Sequence, residues 1–323
     1  MAGEQTNLSL VVPVFRNEAN IPDLISAINE DIMPEARGAA EVVFVVDGSP
    51  DRSAALLREI LPRQGWPSQL VLHSRNFGSI CAMRTGIAAA RGAAIAIMAA
   101  DLQEPPSLVV RFWDILTRDE ADIVFGQRTQ RYDGQASRMF ASLFWRLYRR
   151  FVFSEVPPGG IDVFAINSQV KKALLEIAEP NSSLVAQLLW IGFRRTFVPY
   201  VRQPRRLGKS AWTFGRKLNY MIDSFVAFSD LPILFQIWLG VFGVIVSSLV
   251  GMVVFIARLA GWITLKGYTP IMLMLAFGFS VLLMSQGVLG LYLWRTFENT
   301  KRRPLAVVSE HLSFGGQSRD APS

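Results

Sequence analysis

Residues Ala93–Pro106 read AAIAIMAADLQEPP. An unbroken apolar run stops at Asp101, and Gln103, Glu104, Pro105 and Pro106 follow within five residues. A run this short, bounded by Gly92 and by two prolines, predicts a strand buried on both faces of a parallel sheet. Its C-terminal end then opens into the crevice where ligands of open α/β sheets bind. Asp101 and Gln103 offer two oxygen ligands to a hard divalent cation, Mg2+ or Mn2+, that would neutralise a nucleotide diphosphate. The same residues also suit a capped, solvated loop, and the stretch alone does not separate the two readings.

Working outward, the chain of 323 residues is 51% hydrophobic, yet 18% of it is charged. That is too apolar for an ordinary cytosolic enzyme and too charged to be membrane throughout. The apolar excess is concentrated in two uncharged runs, Pro232–Ala257 and Thr269–Trp294. Each exceeds the roughly 20 residues that a helix needs to cross a bilayer. Two transmembrane helices joined by a short loop around Arg258–Tyr268 are expected, and a buried helical pair of a soluble domain is the alternative. The N-terminal MAGEQTNLSLVVPVF has no basic leader and is broken by Pro13, so it reads as neither signal peptide nor third span. Basic residues flank the two runs: Arg202, Arg205, Arg206, Lys209, Arg216 and Lys217 before, Arg295, Lys301, Arg302 and Arg303 after, and only Arg258 and Lys266 between. The catalytic part and both termini are therefore expected on the cytoplasmic side of the inner (plasma) membrane. A single cysteine, Cys81, excludes an internal disulfide and agrees with a reducing compartment. The net charge of +7 collects near membrane-proximal segments, which favours anionic lipid and phosphate partners over nucleic acid.

In chain order, the apolar runs Leu8–Val14, Glu41–Val46, Gln69–His73, the opening stretch and Asp122–Phe125 predict five strands. Helical stretches from Pro22, Arg52–Ile60, Ser79–Ala90 and Ser107–Thr117 alternate with them. This alternation indicates an α/β fold with a mainly parallel sheet and its site at one edge. After about Ser309 a polar tail is expected. Two stretches, Gln135–Phe153 and Trp212–Phe228, carry aromatic residues at helical spacing with basic flanks. They suit amphipathic helices in the membrane interface or helices packed on the sheet. Gly240, Gly243, Ser247 and Gly251 recur on one face of the first long run. They permit close packing within the pair or between protomers, so a homo-oligomer is left open.

The segments VVPVFRNEANI, FVVDGSPDRS, HSRNFGSICAMRTGIAAARG, MAADLQEPP, VFGQR, GGID and VPYVRQPRRLGKSAWTFGRKL occur in this order. Together, from about Leu8 to Val307, they resemble family 2 glycosyltransferases of the GT-A (Rossmann-like) fold. Within that family the chain is similar to membrane-anchored polyprenyl-phosphate glycosyltransferases, the group of dolichol-phosphate mannose synthase and the bacterial undecaprenyl-phosphate glycosyltransferases. The resemblance implies a catalytic domain over residues 1–210, a juxtamembrane helix over 211–230, two spans within 231–296 and a tail over 297–323. It implies a nucleotide-sugar donor, UDP-linked in the bacterial branch, and a polyprenyl-phosphate acceptor, with cell-envelope glycan or lipid as the product.

By the same resemblance Pro13, Phe15, Glu18, Asp47 and Arg75 border the donor pocket. Asp101 and Gln103 fall on the metal-associated motif, Arg128 faces phosphate, and Asp162 lies near the transferred sugar. Arg202, Arg205, Ser210 and Trp212 match the loop over the pyrophosphate. Ala99 and Val46 stand where the family carries acids, which implies a weaker, donor-dependent metal site. A lipid phosphate is already anionic at neutral pH, so strong base catalysis is not required. Glu104 or Asp162 could serve as base if the acceptor were a hydroxyl. His73, at a strand end, reads as structural. A processive polysaccharide synthase would carry Q-x-x-R-W, but Gln187 is followed by Leu188, Leu189 and Trp190. A non-catalytic membrane scaffold that kept the fold is the remaining alternative.

Overall fold

A computed structural model of the protein describes residues 7–129, 146, 150, 161–177, 179, 183–203, 231–260 and 268–315. The chain divides into two compact units, Met1–Leu218 with Arg303–Ser323, and Asn219–Arg302. The amphipathic stretch 212–228 lies outside the described residues, as does 135–153 apart from Arg146 and Arg150.

The first unit is built on an eight-stranded sheet. Strands β1 (Leu8–Val14), β2 (Ala40–Val46), β3 (Ser68–His73) and β4 (Ala94–Ile97) are mutually parallel. Every residue of β2 is buried and all of β1 but Pro13, which is why these strands read as continuous rather than alternating apolar runs. Between them run α1 (Ile21–Ala27), α2 (Met33–Ala36), α3 (Ser53–Ile60) and α4 (Ser79–Ala89). The alanine-rich α4 lies close on the sheet: a Cβ at Gly86 would stand 2.2 Å from Val11 Cγ1. Helix α5 (Pro106–Thr117) starts on proline and buries Leu108, Val109, Phe112 and Leu116, one helical face.

Beyond α5 come β5 (Ile123–Arg128), β6 (Ile161–Asn167), α6 (Ser168–Glu176), α7 (Leu184–Ile191) and β7 (Arg195–Tyr200). The strand order is β7-β5-β6-β4-β1-β2-β3, followed by an eighth strand. Strand β6 runs antiparallel to both β4 and β5, whereas β7 is parallel to β5. The order reverses between β1 and β4, so the topological switch point lies there.

The segment expected to be a polar tail instead completes the sheet. Val308–Phe314 forms β8, antiparallel on β3. Leu312 and Phe314 pack on the core, while Ser309, His311 and Ser313 stay exposed. A strand that is half apolar and half polar covers the edge that β3 would otherwise leave open.

The second unit contains two long helices, α8 (Leu231–Leu259) and α9 (Tyr268–Thr300). Among the described residues one stretch, Phe277–Thr300, is long and apolar enough to cross a membrane, and none of its most apolar window is buried. A shorter apolar stretch, Ile233–Gly243, lies in α8. Gln236 Nε2 donates to the carbonyl of Met284 at 3.4 Å. At the end of α9 the Lys301 ammonium sits over the rings of Phe297 and Trp294, 4.4 and 5.2 Å from their centroids.

Candidate active site

The sheet brings seven chain segments to one end. The parallel strands β1 to β4 deliver Phe15–Glu18, Asp47–Arg52, Ser74–Gly78 and Asp101–Glu104 from their C-terminal ends. Strand β5 ends on Arg128, which is paired in register with Tyr200, so β7 delivers Arg202 to the same end. The reversal of β6 places its first residues, Ile161 and Asp162, there as well, since Ile161 faces Gln127. Arg205, Ser210 and Trp212 lie outside the described residues, as does the side chain of Asp162.

Two loops at this end are joined through carboxylates. The hydroxyl of Ser49 donates to Asp51 Oδ1 (2.6 Å) and accepts from the Arg16 amide (2.8 Å). Asp51 Oδ2 accepts from the Glu18 amide (3.1 Å), and Glu18 Oε2 in return accepts from the Arg52 amide (3.0 Å). Burial works against the Asp51 carboxylate, but bonds from Ser49 and Ser53 and from the amides of Glu18 and Ser53 hold it below the usual carboxylate range. Glu18 was expected here from the sequence. Asp51 was not, because an acid one turn before a helix ordinarily reads as a cap. Phe15 and Pro13 are half-buried, with the Arg16 guanidinium 5.4 Å from the Phe15 ring centroid. Arg75 is exposed and lies 4.0 Å over the ring of Phe77.

Asp47 is 2% exposed. Its Oδ1 accepts from the Phe77 amide (2.8 Å) and contacts His73 Nδ1 (2.9 Å), and its Oδ2 accepts from the Gly78 amide (2.7 Å). Gly78 is the N-cap of α4. The carboxylate therefore occupies the positive end of this helix, which in a dinucleotide-binding fold holds phosphate.

The D-L-Q-E loop after β4 is clasped by the segment after β7. Arg202 Nη2 donates to Gln103 Oε1 (2.6 Å), Gln103 Nε2 to the Gln203 carbonyl (3.3 Å) and the Gln203 amide to the Gln103 carbonyl (2.8 Å). Arg202 Nε lies 3.8 Å from Glu104 Oε1, whose carboxylate is 4% exposed. Leu102 holds φ at +52°, a left-handed conformation that costs a non-glycine residue about 1–2 kcal/mol. Gln103 Oε1 accepts a guanidinium bond here, and Asp101 Oδ1 accepts from the Gln103 amide (3.3 Å), so both groups expected to hold a cation are already engaged in hydrogen bonds. One carboxylate with substrate phosphates is an ordinary Mg2+ environment. No group of three or more His, Cys, Asp or Glu side chains among the described residues forms a metal cluster. A cavity of about 380 Å3 adjoins the clasp, between Ser107 and Arg111 of α5 and the chain at Thr129, Tyr200 and Gln203.

Deeper in the unit, Arg84 of α4 is buried, and its hydrogen bonds go to a side-chain amide oxygen and to main-chain carbonyls. It donates to Gln187 Oε1 (3.1 Å) and to the carbonyls of Leu174 (2.8 Å), Leu175 (3.2 Å) and Ile177. It closes the C-terminal end of α6, where carbonyls lack helical partners.

A switch-point crevice flanked by acids and arginines on a mainly parallel sheet defines the class, an α/β protein of the GT-A type. Residues 9–177 match the family model Glycosyl transferase family 2, and the chain belongs to that family. It is 30% identical over 304 residues to a glycosyltransferase of Synechocystis, covering 94% of this chain and 95% of that one. It is 27% identical over 307 residues to the bactoprenol glucosyl transferase of Shigella phage SfV, covering 93% and 97% of the two chains. Among solved structures, mannosyl-3-phosphoglycerate synthase from Rubrobacter xylanophilus aligns with a TM-score of 0.47 at 12% identity, over 68% and 71% of the chains.

Proposed function

We propose that this protein transfers one sugar from a nucleotide-sugar donor, UDP-linked, to undecaprenyl phosphate, inverting the anomeric carbon at the cytoplasmic face of the inner membrane. The carrying observation is the length of the match to a bactoprenol glucosyl transferase. It spans 93% of this chain, so it must continue well past the family-2 region at residue 177 and into the long helices.

The site chemistry supports the same reading. The bond from the sugar C1 to the diphosphate breaks as the acceptor oxygen bonds to C1 from the opposite face, giving a β-linked product from an α-linked donor. The diphosphate departs with its charge, and donors already in place at that charge stabilise its departure. With Asp47 already placed at the N-cap of α4, this work is assigned to guanidinium groups. Arg202 and Arg128 are carried there by β7 and β5. A Mg2+ or Mn2+ ion, when bound, would add positive charge beside the leaving oxygens, with Asp101 holding it. The acceptor needs little activation, since a phosphate monoester has its second pKa near 6. Asp162 enters at the same end on β6, in the segment that the resemblance puts near the transferred sugar. The processive reading lacks its signature, because Gln187 is followed by Leu188, Leu189 and Trp190 with no arginine.

The acceptor is insoluble, so the crevice must work at the membrane. Helices α8 and α9 are read as a transmembrane pair, and the basic residues before α8 as contacts for anionic headgroups. The test is purified full-length protein in detergent or nanodiscs, with a panel of nucleotide sugars and undecaprenyl phosphate. A singly glycosylated lipid is expected, and Asp101→Ala should reduce its formation by at least about a hundredfold. A polymeric product, or no turnover with any donor, would overturn the proposal.

A further inference from the structure

His73 stands in the interior with its side chain 0% exposed, at the end of β3, and both ring nitrogens are engaged. Nδ1 meets Asp47 Oδ1 at 2.9 Å and Nε2 meets Thr85 Oγ1 of α4 at 2.9 Å. The same Asp47 oxygen accepts the Phe77 amide, and the other accepts the Gly78 amide. The Asp47 main chain takes part too: its carbonyl accepts from Asn76 Nδ2 (3.2 Å), and its amide donates to the Val14 carbonyl (3.0 Å). The ends of β1, β2 and β3 therefore meet at one residue, Asp47, through its main chain toward β1 and its carboxylate toward the end of β3, and the imidazole is the side chain that holds that carboxylate. Its edge also packs on the Phe77 ring, with centroids 5.6 Å apart, and Phe77 carries the guanidinium of Arg75.

We infer that His73 is a positioning residue of the donor site: through Asp47 it sets the Ser74–Gly78 loop, and with it Arg75 and Phe77, against the Asp47–Asp51 loop. This rests on the reading of the crevice as a nucleotide-sugar site, and it assigns His73 no contact with substrate. An imidazole that only filled space could be exchanged for another ring. An imidazole that orients a carboxylate cannot, because its loss leaves Asp47 Oδ1 with the Phe77 amide alone and removes the side-chain tie from β3 to that carboxylate.

His73→Phe keeps a ring and removes both bonds. It is expected to raise the KM for the donor about tenfold, while kcat and the KM for undecaprenyl phosphate change by no more than about twofold. His73→Asn, whose amide can take the place of Nδ1–H, should recover most of the loss. Thr85→Val removes only the outer bond and should give a smaller rise, about threefold, which serves if His73→Phe does not fold. Folded variants with the wild-type donor KM, whatever their melting temperatures, would overturn the inference. Calorimetry with UDP and GDP separates it from the proposed function. If the wild type binds either nucleotide and His73→Phe binds it about tenfold more weakly, the inference holds even where no sugar is transferred. If the wild type binds neither, both readings fall.

Discussion

Asp47 and Gly48 divide the work of the second loop between charge and space. Asp47 places a carboxylate at the start of α4, where it accepts from the Gly78 amide. Gly48 permits the approach of the neighbouring loop: its φ is +56°, and a Cβ there would stand 2.3 Å from the Arg75 carbonyl carbon and 2.4 Å from the Asn76 nitrogen. Both obstacles are backbone, so no rotamer change relieves them. Gly48→Ala therefore has to displace Arg75 and Asn76 as well as adopt a left-handed conformation that costs about 1–2 kcal/mol by itself. A lower melting temperature and at least a tenfold or so rise in donor KM are expected, measured by thermal unfolding and steady-state kinetics. A variant equal to the wild type in both would show that the two loops do not touch as described.

The elements on the other side of the crevice are held by a carboxylate as well. Asp122, just before β5, accepts from the Arg194 amide (3.1 Å), Arg194 Nε (3.0 Å) and Arg194 Nη2 (3.1 Å), and from Asn167 Nδ2 of β6 (2.9 Å). One side chain thereby stitches β5, β6 and the start of β7, the strands that carry Arg128, Asp162 and Arg202. The Arg194 bond, with help from its amide and charge and from Asn167, outweighs burial and holds the Asp122 carboxyl below its usual range. A carboxylate whose folded pKa is depressed contributes stability above its unfolded value, about 3.9, and loses it as pH falls through the lower folded value. Asp122→Asn should thus cost about 1 kcal/mol near neutral pH, at the low end because the Arg194 side chain is 55% exposed. The gap to wild type should close below about pH 4, as followed by denaturant unfolding at a series of pH values. A gap that persists unchanged into acid would exclude the carboxylate as its source. Two of these strands, β6 and β7, were not expected from the sequence. Strands β1 to β5 announce themselves as apolar runs because nearly all of their residues are buried. Strand β6 does carry a buried apolar run, Val163–Ile166, but helix α6 follows it without a break; β7 begins on Arg195 with only Val198 and Tyr200 buried, so it produces no such run. Asp101 was legible because it ends an apolar run; Glu18, Asp47, Arg128, Asp162 and Arg202 were named through the family resemblance, not through spacing. Asp51, Arg84 and the Gln103–Arg202 clasp were legible in neither way, since each depends on a partner that only the folded sheet brings near.

At the scale of the whole chain, β8 constrains topology without reference to how the two units are arranged. It is hydrogen-bonded to β3 from Phe314 opposite Ser68 to Val308 opposite His73, so residues 308–314 share a compartment with residues 68–73. Any path from residue 203 to residue 308 must then cross a membrane an even number of times. If Phe277–Thr300 crosses once, another crossing is required, and α8, with its own apolar Ile233–Gly243, is the described helix that can supply it. The expected arrangement is the catalytic unit and β8 on one side and the connection 261–267 on the other. In a Cys81→Ser background, Thr264→Cys should react with an impermeant maleimide in intact cells, whereas Ser309→Cys should react only after the membrane is opened. Labelling of both from the same side would mean that α9 does not span, and would remove the membrane pair from the proposed function while leaving the glycosyltransferase fold untouched.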